Sequence, residues 1–417
     1  MRLHPIIAAL RKHTFGVALI ALQIALTLAI VCNALFIIGE RMARIDRPTG
    51  LNESDLFLVS QMWVGAPAGS DAASTDKLDS MLLQDLATLR GLPDVAAAGP
   101  MNSLPLYPSS HTSTVSQKPG TDNPGTLLHT NIYFADDHAI PTLGLKLVAG
   151  QNFSASDVQH RRSQAGGQSP TTIVTKALAD RLFPDGQAVG RQVYFDGSAS
   201  PSTIVGVVER LQVPGTSRWT NGFAWYSAIE PVRLDRADLL YVVRAKPGRL
   251  AAAMKEVPAA LYAVNPMRVL DDDSVESFAD VRAHAYRADI GMAILMGGIC
   301  LVLLGITAAS IVGLTSFWVG QRHHQIGVRR ALGARRKDIL RYFQIENLVI
   351  AGAGTAAGAG LAIGLNVLLM RYFEMNHLPA LYLVAGALIV LALGQGAVLV
   401  PARRASRVPP AVATRGR

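Results

Sequence analysis

The sequence predicts a membrane α-helical protein with four transmembrane helices and a large α+β extracytoplasmic domain inserted between the first span and the second. Three observations carry this prediction: four long apolar runs, a one-sided distribution of basic residues, and about 250 residues of mixed polar sequence after the first run.

The apolar runs are Phe15–Ile38, Ile290–Leu314, Leu348–Met370 and Leu381–Val400, in a chain that is 50% hydrophobic with a mean hydropathy of +0.28. A helix rises about 1.5 Å per residue, so about 20 residues cross a hydrocarbon core of about 30 Å. All four runs reach that length. They hold a few polar groups, such as Gln23, Asn33 and Gln395, and no charge in the middle. The first run reads as an uncleaved span: it exceeds the roughly 7–15 apolar residues of a signal peptide. Its exit, Phe36-Ile37-Ile38-Gly39-Glu40-Arg41, has no small-x-small cleavage pattern.

The net charge of +9 suggests nucleic acid only until its distribution is examined. Residues 39–287 hold 23 basic and 26 acidic side chains; the remainder holds 16 basic and 4 acidic. The excess sits in Arg2, Arg11 and Lys12 before the first run, in seven Lys/Arg between 321 and 341, and in Arg403, Arg404, Arg407, Arg415 and Arg417 after the last. The positive-inside rule then places both termini and the 321–341 loop in the cytoplasm, where anionic lipid headgroups account for the charge. The expected organisation is a cytoplasmic N-terminus (1–14), a first span (15–38), an external domain (39–287), a second span (290–314), a cytoplasmic loop (315–347), a third span (348–370), a short external loop (371–380), a fourth span (381–400) and a cytoplasmic C-terminus (401–417). The two cysteines, Cys32 and Cys300, fall in spans, so the external region is expected to fold without disulfides.

Within the external region, Leu78, Leu82, Leu86 and Leu89 mark one face of a helix over 74–90, stopped by Gly91 and Pro93. Helices are also predicted over 176–183 and 250–264. Strands are predicted at 56–60, 126–134, 172–175 and 239–244, with a strand pair, 193–195 and 203–208, around Gly197. These elements suggest two small α/β subdomains. Segments 109–125 and 160–170 read as loops. Asp273 with Glu276 three residues on reads as a capping box rather than part of an acidic metal site, opening a helix that continues into the second span.

Enzyme signatures are absent. No Gly-x-x-x-x-Gly-Lys-Ser/Thr occurs, and neither a His-Glu-x-x-His nor a Gly-x-Ser-x-Gly motif. Adjacent His323 and His324 diverge on a helix and make a poor chelate. No catalytic or metal-ligating residue is expected. The glycine-rich 352–364 segment lies inside a span. Gly354 with Gly358, and Gly360 with Gly364, are four apart, the spacing that lets helices approach closely in lipid. They are expected to pack within the bundle or against a second membrane subunit.

In the 321–341 loop, Ile326, Val328, Ala331, Leu332 and Ile339 alternate with Arg329, Arg330, Arg335, Arg336 and Lys337. A short amphipathic helix, a turn at Gly333-Ala334 and a second helix fit. Residue chemistry alone leaves two readings: a docking element for a cytoplasmic partner, or a basic linker lying on the headgroups.

The segment resembles the signature of MacB-like and FtsX-like ABC transporter permeases, Glu-Ile-Gly-x-x-Arg-Ala-Leu-Gly-Ala followed by a basic stretch. Ile326-Gly327 and Arg330-Ala331-Leu332-Gly333-Ala334 match it, Ile339, Phe343 and Glu346 match the Ile-x-x-x-Phe-x-x-Glu that follows, and Pro401-Ala402-Arg403-Arg404-Ala405 with Pro409 and Ala413 resembles the family's closing Pro-Ala-x-Arg-Ala … Pro … Ala-Leu-Arg. Leu143-Gly144-Leu145-Lys146-Leu147 with Gly150 and Phe153, Ala179 to Phe183 with Gly190, and Ile204-Val205-Gly206-Val207-Val208 are similar to the MacB-type periplasmic core. The resemblance implies a dimeric permease of the bacterial inner membrane, driven by a cytoplasmic ABC ATPase. ATP and magnesium would sit on that partner, and the chain itself would need no cofactor. It implies that Gln325, Ile326, Gly327, Arg330, Ala331, Leu332, Gly333 and Ala334 couple to the ATPase, with Arg335, Arg336 and Lys337 as headgroup or ATPase contacts. Gln325 replaces the family's acid, which fits a heterodimer of unlike permeases or a weaker coupling. Peptides, lipoproteins or amphiphilic drugs are the cargo classes implied, with a periplasmic adaptor as a further partner. Two rival readings are an FtsX-like relay to a cell-wall hydrolase and a membrane-anchored sensor without an ATPase.

Overall fold

The computed structural model describes residues 14–120, 127–162, 167–217, 219–271, 273–373 and 376–406. The chain divides into a helical unit, Met1–Ile45 with Ala288–Arg417, and an α+β unit, Asp46–Arg287. Arg2, Arg11, Lys12, Arg407, Arg415, Arg417, Pro409 and Ala413 lie outside the described residues.

Helix α1 (Thr14–Ile45) is followed by β1 (Leu56–Trp63), α2 (Ala72–Gly91), β2 (Val95–Met101), β3 (Thr112–Ser116), β4 (Leu128–Ala135), α3 (Ala139–Leu143), β5 (Leu147–Gly150) and β6 (Gln159–Arg161). Then come β7 (Thr171–Thr175), α4 (Lys176–Leu182), β8 (Gln192–Phe195), β9 (Ser202–Val208), β10 (Ser227–Leu234), β11 (Asp238–Ala245), α5 (Leu250–Val264), β12 (Arg268–Val269) and β13 (Val275–Ser277). The chain ends in α6 (Phe278–Gln321), α7 (His323–Ala331), α8 (Arg336–Phe373) and α9 (Ala380–Ser406).

Four of these helices, α1, α6, α8 and α9, are long and apolar enough to cross a membrane. They outrun the apolar runs at their ends because backbone hydrogen bonding continues past the hydrophobic stretch. Ile24, Leu28 and Phe36 of α1, Ile311 of α6, Ile350 of α8 and Val390 of α9 form their shared core. The outer faces are apolar too: Ile294, Leu301, Leu381 and Leu388 are each more than 60% exposed. In water such faces are costly; in lipid they are the solvated surface. Some of the buried polar groups find partners across helices. Thr27 and Thr307 hydroxyls lie 2.8 Å apart, and Asn33 Nδ2 donates to the Ala362 carbonyl at 3.1 Å. Asp289 of α6 pairs with Arg41, and Arg44 Nη1 lies 3.7 Å from it.

The α+β unit has two hydrophobic cores on one hydrogen-bonded strand network of thirteen strands among the described residues. In the first lobe, β1 pairs antiparallel with β11 in register Val59↔Tyr241, and β11 pairs with β2. Helices α2 and α5 cover them, burying Leu78, Leu82, Leu86 and Leu89 with Val257 and Leu261. Asp71 caps α2 by accepting from the Ser74 amide at 3.0 Å. In the second lobe, β4, β3, β8, β9, β7 and β10 follow one another, and β10 pairs back onto β4, closing a ring. Its core includes Ile132, Val174, Leu178, Phe195 and Val232.

Two details correct the sequence reading. Strands β3 and β6 lie in segments expected as loops: their polar composition hides a strand that the neighbouring strands pair with, and in β3 Ser113 and Ser116 are buried beside Val115. Asp273 does not cap α6. Val275–Ser277 instead joins β1 as a third antiparallel partner. The cap is Ser277, whose Oγ accepts from the Asp280 amide at 3.2 Å and donates to Asp280 Oδ2 at 2.6 Å. Asp272 lies outside the described residues.

One charged cluster pins the first lobe. Arg268 of β12 donates to both oxygens of Asp85 on α2, at 2.9 and 2.8 Å, and the Tyr241 hydroxyl donates to Asp85 Oδ2 at 2.8 Å. All three are buried. Removing one member leaves an uncompensated charge, so Arg268→Ala is expected to destabilise the unit by about 3–5 kcal/mol, read from the shift of its denaturation midpoint.

A second buried acid carries a pH dependence. Burial pushes Glu230 on β10 up to about 7, although Arg161 Nη2, 3.1 Å away, pulls it down. The folded state therefore keeps this proton after the unfolded chain releases it near 4.5. Stability from this group is full below that value and falls as pH rises to about 7, by up to about 3 kcal/mol. Melting curves of Glu230→Gln against the parent across this range should show the parent's decline missing.

Candidate functional site

The polar segment between α6 and α8 is a folded structure with an inward and an outward face. Its anchors are apolar and ionic. Ile326 on α7 is buried with Ile339 and Phe343 of α8 in the cytoplasm-expected end of the helical core. Arg322 Nη1 lies 3.0 Å from both carboxylate oxygens of Glu346, which is buried. Taking a carboxylate out of water is costly unless it is paired, so this contact holds the segment against the bundle.

The turn after α7 follows from Gly333, at φ +100°, where a side chain would be strained. Its amide reaches the Arg330 carbonyl at 3.2 Å, and the Ala334 amide reaches Arg329 at 3.0 Å, closing the helix end. Asp338 caps α8 by accepting from the Arg335 amide at 2.9 Å.

This geometry divides the sequence-predicted residues. Ile326 and Gly327 face inward and are buried; Arg330 and Ala334 are half-buried. Gln325, Ala331, Leu332, Gly333, Arg335, Arg336 and Lys337 are exposed. Leu332 is 84% exposed at the tip of the turn, amid these cations. The Arg329 guanidinium stacks 5.2 Å from the Tyr342 ring centroid, and a small cavity of about 120 Å³ opens beside it, lined by Arg322, Gln325, Ile326 and Phe343 among others. The surface is thus a rigid turn with an apolar tip and a basic rim. It can seat in a groove with acidic edges.

The four glycines expected to pack also divide. A Cβ on Gly354 would lie 2.8 Å from the Ala21 carbonyl oxygen, and one on Gly358 2.8 Å from that of Ala25, so both carry the close approach of α8 to α1. A Cβ on Gly360 or Gly364 would meet nothing within 4 Å, so both face away from this chain's other described residues.

Two groupings are not anticipated by the sequence: the contiguous Asp136, Asp137 and His138, and one drawn from distant segments. Asp79, His160 and Asp235 place metal-capable atoms within 4.8 Å of one another in the α+β unit. No short-range motif signals it, because the three residues are far apart in the chain. Among the described residues, no such group lies in the 321–341 segment.

Residues 17–260 match the MacB-like periplasmic core domain family, and residues 297–410 match the FtsX-like permease C-terminal family. The chain belongs to the MacB-like and FtsX-like permeases. It is 25% identical over 418 residues to "Macrolide export ATP-binding/permease protein MacB" of Hyphomonas neptunium, covering 97% of this chain and 59% of that protein. It is 25% identical over 309 residues to "Uncharacterized ABC transporter permease YvrN" of Bacillus subtilis, covering 69% of this chain and 70% of that one. The chain spans about half the length of the MacB proteins it matches. The solved periplasmic region of MacB from Actinobacillus actinomycetemcomitans aligns with a TM-score of 0.34 at 12% identity, over 58% of this chain and 97% of that one. This member of the family has four helices long and apolar enough to cross a membrane, with a MacB-like α+β domain between the first and second of these candidate spans.

The glycine contacts lead to a direct test. Gly354→Leu and Gly358→Leu force side chains into the α1 backbone and should each lower the melting temperature in detergent, overpacking costing about 1–3 kcal/mol. Gly360→Leu and Gly364→Leu should leave it unchanged.

Proposed function

We propose that this chain is the permease subunit of an ABC-type export system of the bacterial inner membrane, coupling ATP hydrolysis on a separate ATPase to conformational change in its periplasmic domain. The carrying observation is the presented turn: Leu332, 84% exposed, stands among Ala331, Gly333, Arg335, Arg336 and Lys337 on a segment anchored by Ile326 and the Arg322–Glu346 pair. A rigid apolar tip needs a groove to fill, and a cytoplasmic ATPase is the partner that the family's relatives named as ATP-binding/permease proteins support. Gln325, Arg330 and Ala334 border the contact. Ile326 and Gly327 act by holding the turn.

In this reading both termini and the turn are cytoplasmic, as the basic residues imply. ATP binding draws the turns of two permeases together. Helix α6, unbroken over 44 residues and about 66 Å long, carries the movement along its axis. The cargo is handled on the periplasmic side; peptides, lipoproteins and amphiphilic drugs are the classes proposed. Gly360 and Gly364 offer their open face to a second permease or to lipid, and a periplasmic adaptor is a further proposed partner.

The test is purification from native membranes in mild detergent, with mass spectrometry of what stays bound. The parent chain should retain a stoichiometric Walker A protein. Leu332→Asp should lose it while keeping the parent's melting temperature. A retained ATPase with a bound cell-wall hydrolase and no export would favour the FtsX-like relay. If the parent retains no ATPase in any mild detergent, the permease mechanism fails and the sensor reading stands.

A further inference from the structure

A cluster in the α+β unit, independent of the permease reading, has the composition and geometry of a metal site. Asp76 and Asp79 lie three apart on α2, so they share one helix face. His160 lies on β6, whose parallel pairing with β10 sets it beside Arg233. Asp235 follows β10 and is fixed by its amide, which donates to the Arg161 carbonyl at 2.9 Å. Three elements thus converge on one point, and Asp79, His160 and Asp235 offer ligand atoms within 4.8 Å of one another.

Three features separate this cluster from an ordinary ion-pair network. The first is charge. Arg233 holds Asp79 through Nε at 2.7 Å and Nη2 at 2.8 Å, but Asp76 and Asp235 have no guanidinium of their own in the cluster. Three carboxylates face one guanidinium, an excess of two negative charges around an imidazole. The second is an orphaned atom. The Asp235 side chain is 1% exposed, yet its Oδ1 is buried without a hydrogen-bond partner, while Oδ2 lies 3.1 Å from His160 Nδ1. A buried carboxylate oxygen without a donor is costly. The third is convergence. Asp79, His160 and Asp235 each offer an atom within 4.8 Å of the other two, a span one ion can draw together, since ligands of tetrahedral zinc stand about 3.3–3.5 Å apart. Asp76, 69% exposed and with Oδ1 3.8 Å from His160 Nε2, stands at the solvent mouth.

We propose that Asp79, His160 and Asp235 bind one divalent transition-metal cation of the zinc class. One imidazole among carboxylates suits zinc; an all-oxygen set would suit calcium or magnesium. The ion would tie α2 of the first lobe to the β6–β10 pair of the second, so its effect is mechanical: it braces the two lobes against each other.

The experiment uses the full chain in detergent, stripped of metal and titrated with Zn(II), with bound zinc counted after dialysis at micromolar free metal and the melting temperature followed. One equivalent per chain and a rise in melting temperature are expected. Both should be lost in His160→Gln, which keeps a donor toward Asp235, and in Asp235→Asn. His323→Gln with His324→Gln should lose neither. Calcium or magnesium at the same concentration should not substitute. X-ray absorption at the zinc edge on the unaltered chain should show one imidazole among oxygen ligands, a reading that needs no variant to fold. No retained zinc, an equivalent that persists in both His160→Gln and Asp235→Asn, or a spectrum with no imidazole or more than one would overturn the proposal.

Discussion

The close approach of α8 to α1 is the contact on which the helical unit depends. Between apolar helices in lipid, burial of hydrophobic surface gives little net attraction, since lipid tails solvate leucine as well as another helix does. What remains is dispersion at short range and hydrogen bonds. Gly354 and Gly358 permit the first by letting the Ala21 and Ala25 carbonyls approach their α-carbons. Asn33, donating to the Ala362 carbonyl, supplies the second further along the same pair. The core so formed continues to Ile326, Ile339 and Phe343, so the position of the polar segment is set by packing that begins inside the membrane.

The same logic separates residues that hold from residues that present. Arg322 and Glu346 are a buried, mutually satisfied pair, and Arg268, Asp85 and Tyr241 do the same in the α+β unit. Such groups stabilise by having no unmet demand. Leu332, nearly all exposed, and Asp235 Oδ1, buried without a donor, are the opposite case. Each is left in a state that water or protein alone serves poorly. Both functional proposals rest on groups of that kind.

Much of the fold was legible in the sequence where a local rule was strong. Leu78, Leu82, Leu86 and Leu89 announce α2 because helical period puts them on one side, and all four are buried. The four spans announce themselves because hydrocarbon tolerates no backbone polar group left unpaired. The start of α6 is not legible locally, because Asp273 with Glu276 makes a sound capping box by sequence. Pairing of Val275–Ser277 with Phe57–Val59, some two hundred residues away, wins over it. Strands β3 and β6 look like loops in the sequence for a related reason: Ser, Thr, Gln and His alternate weakly, and their strand character comes from neighbours distant in the chain.

By itself, then, the sequence determined the number of spans, the inserted α+β domain, the family and the place of the basic turn, because hydropathy, helical period and contiguous motifs are local properties. Only the tertiary structure decided that Ile326 anchors while Leu332 is presented, that Gly354 and Gly358 touch a helix while Gly360 and Gly364 do not, and that Asp79, His160 and Asp235 meet. Those outcomes depend on which surfaces are covered by segments remote in the chain, and a linear pattern carries no distance between such segments.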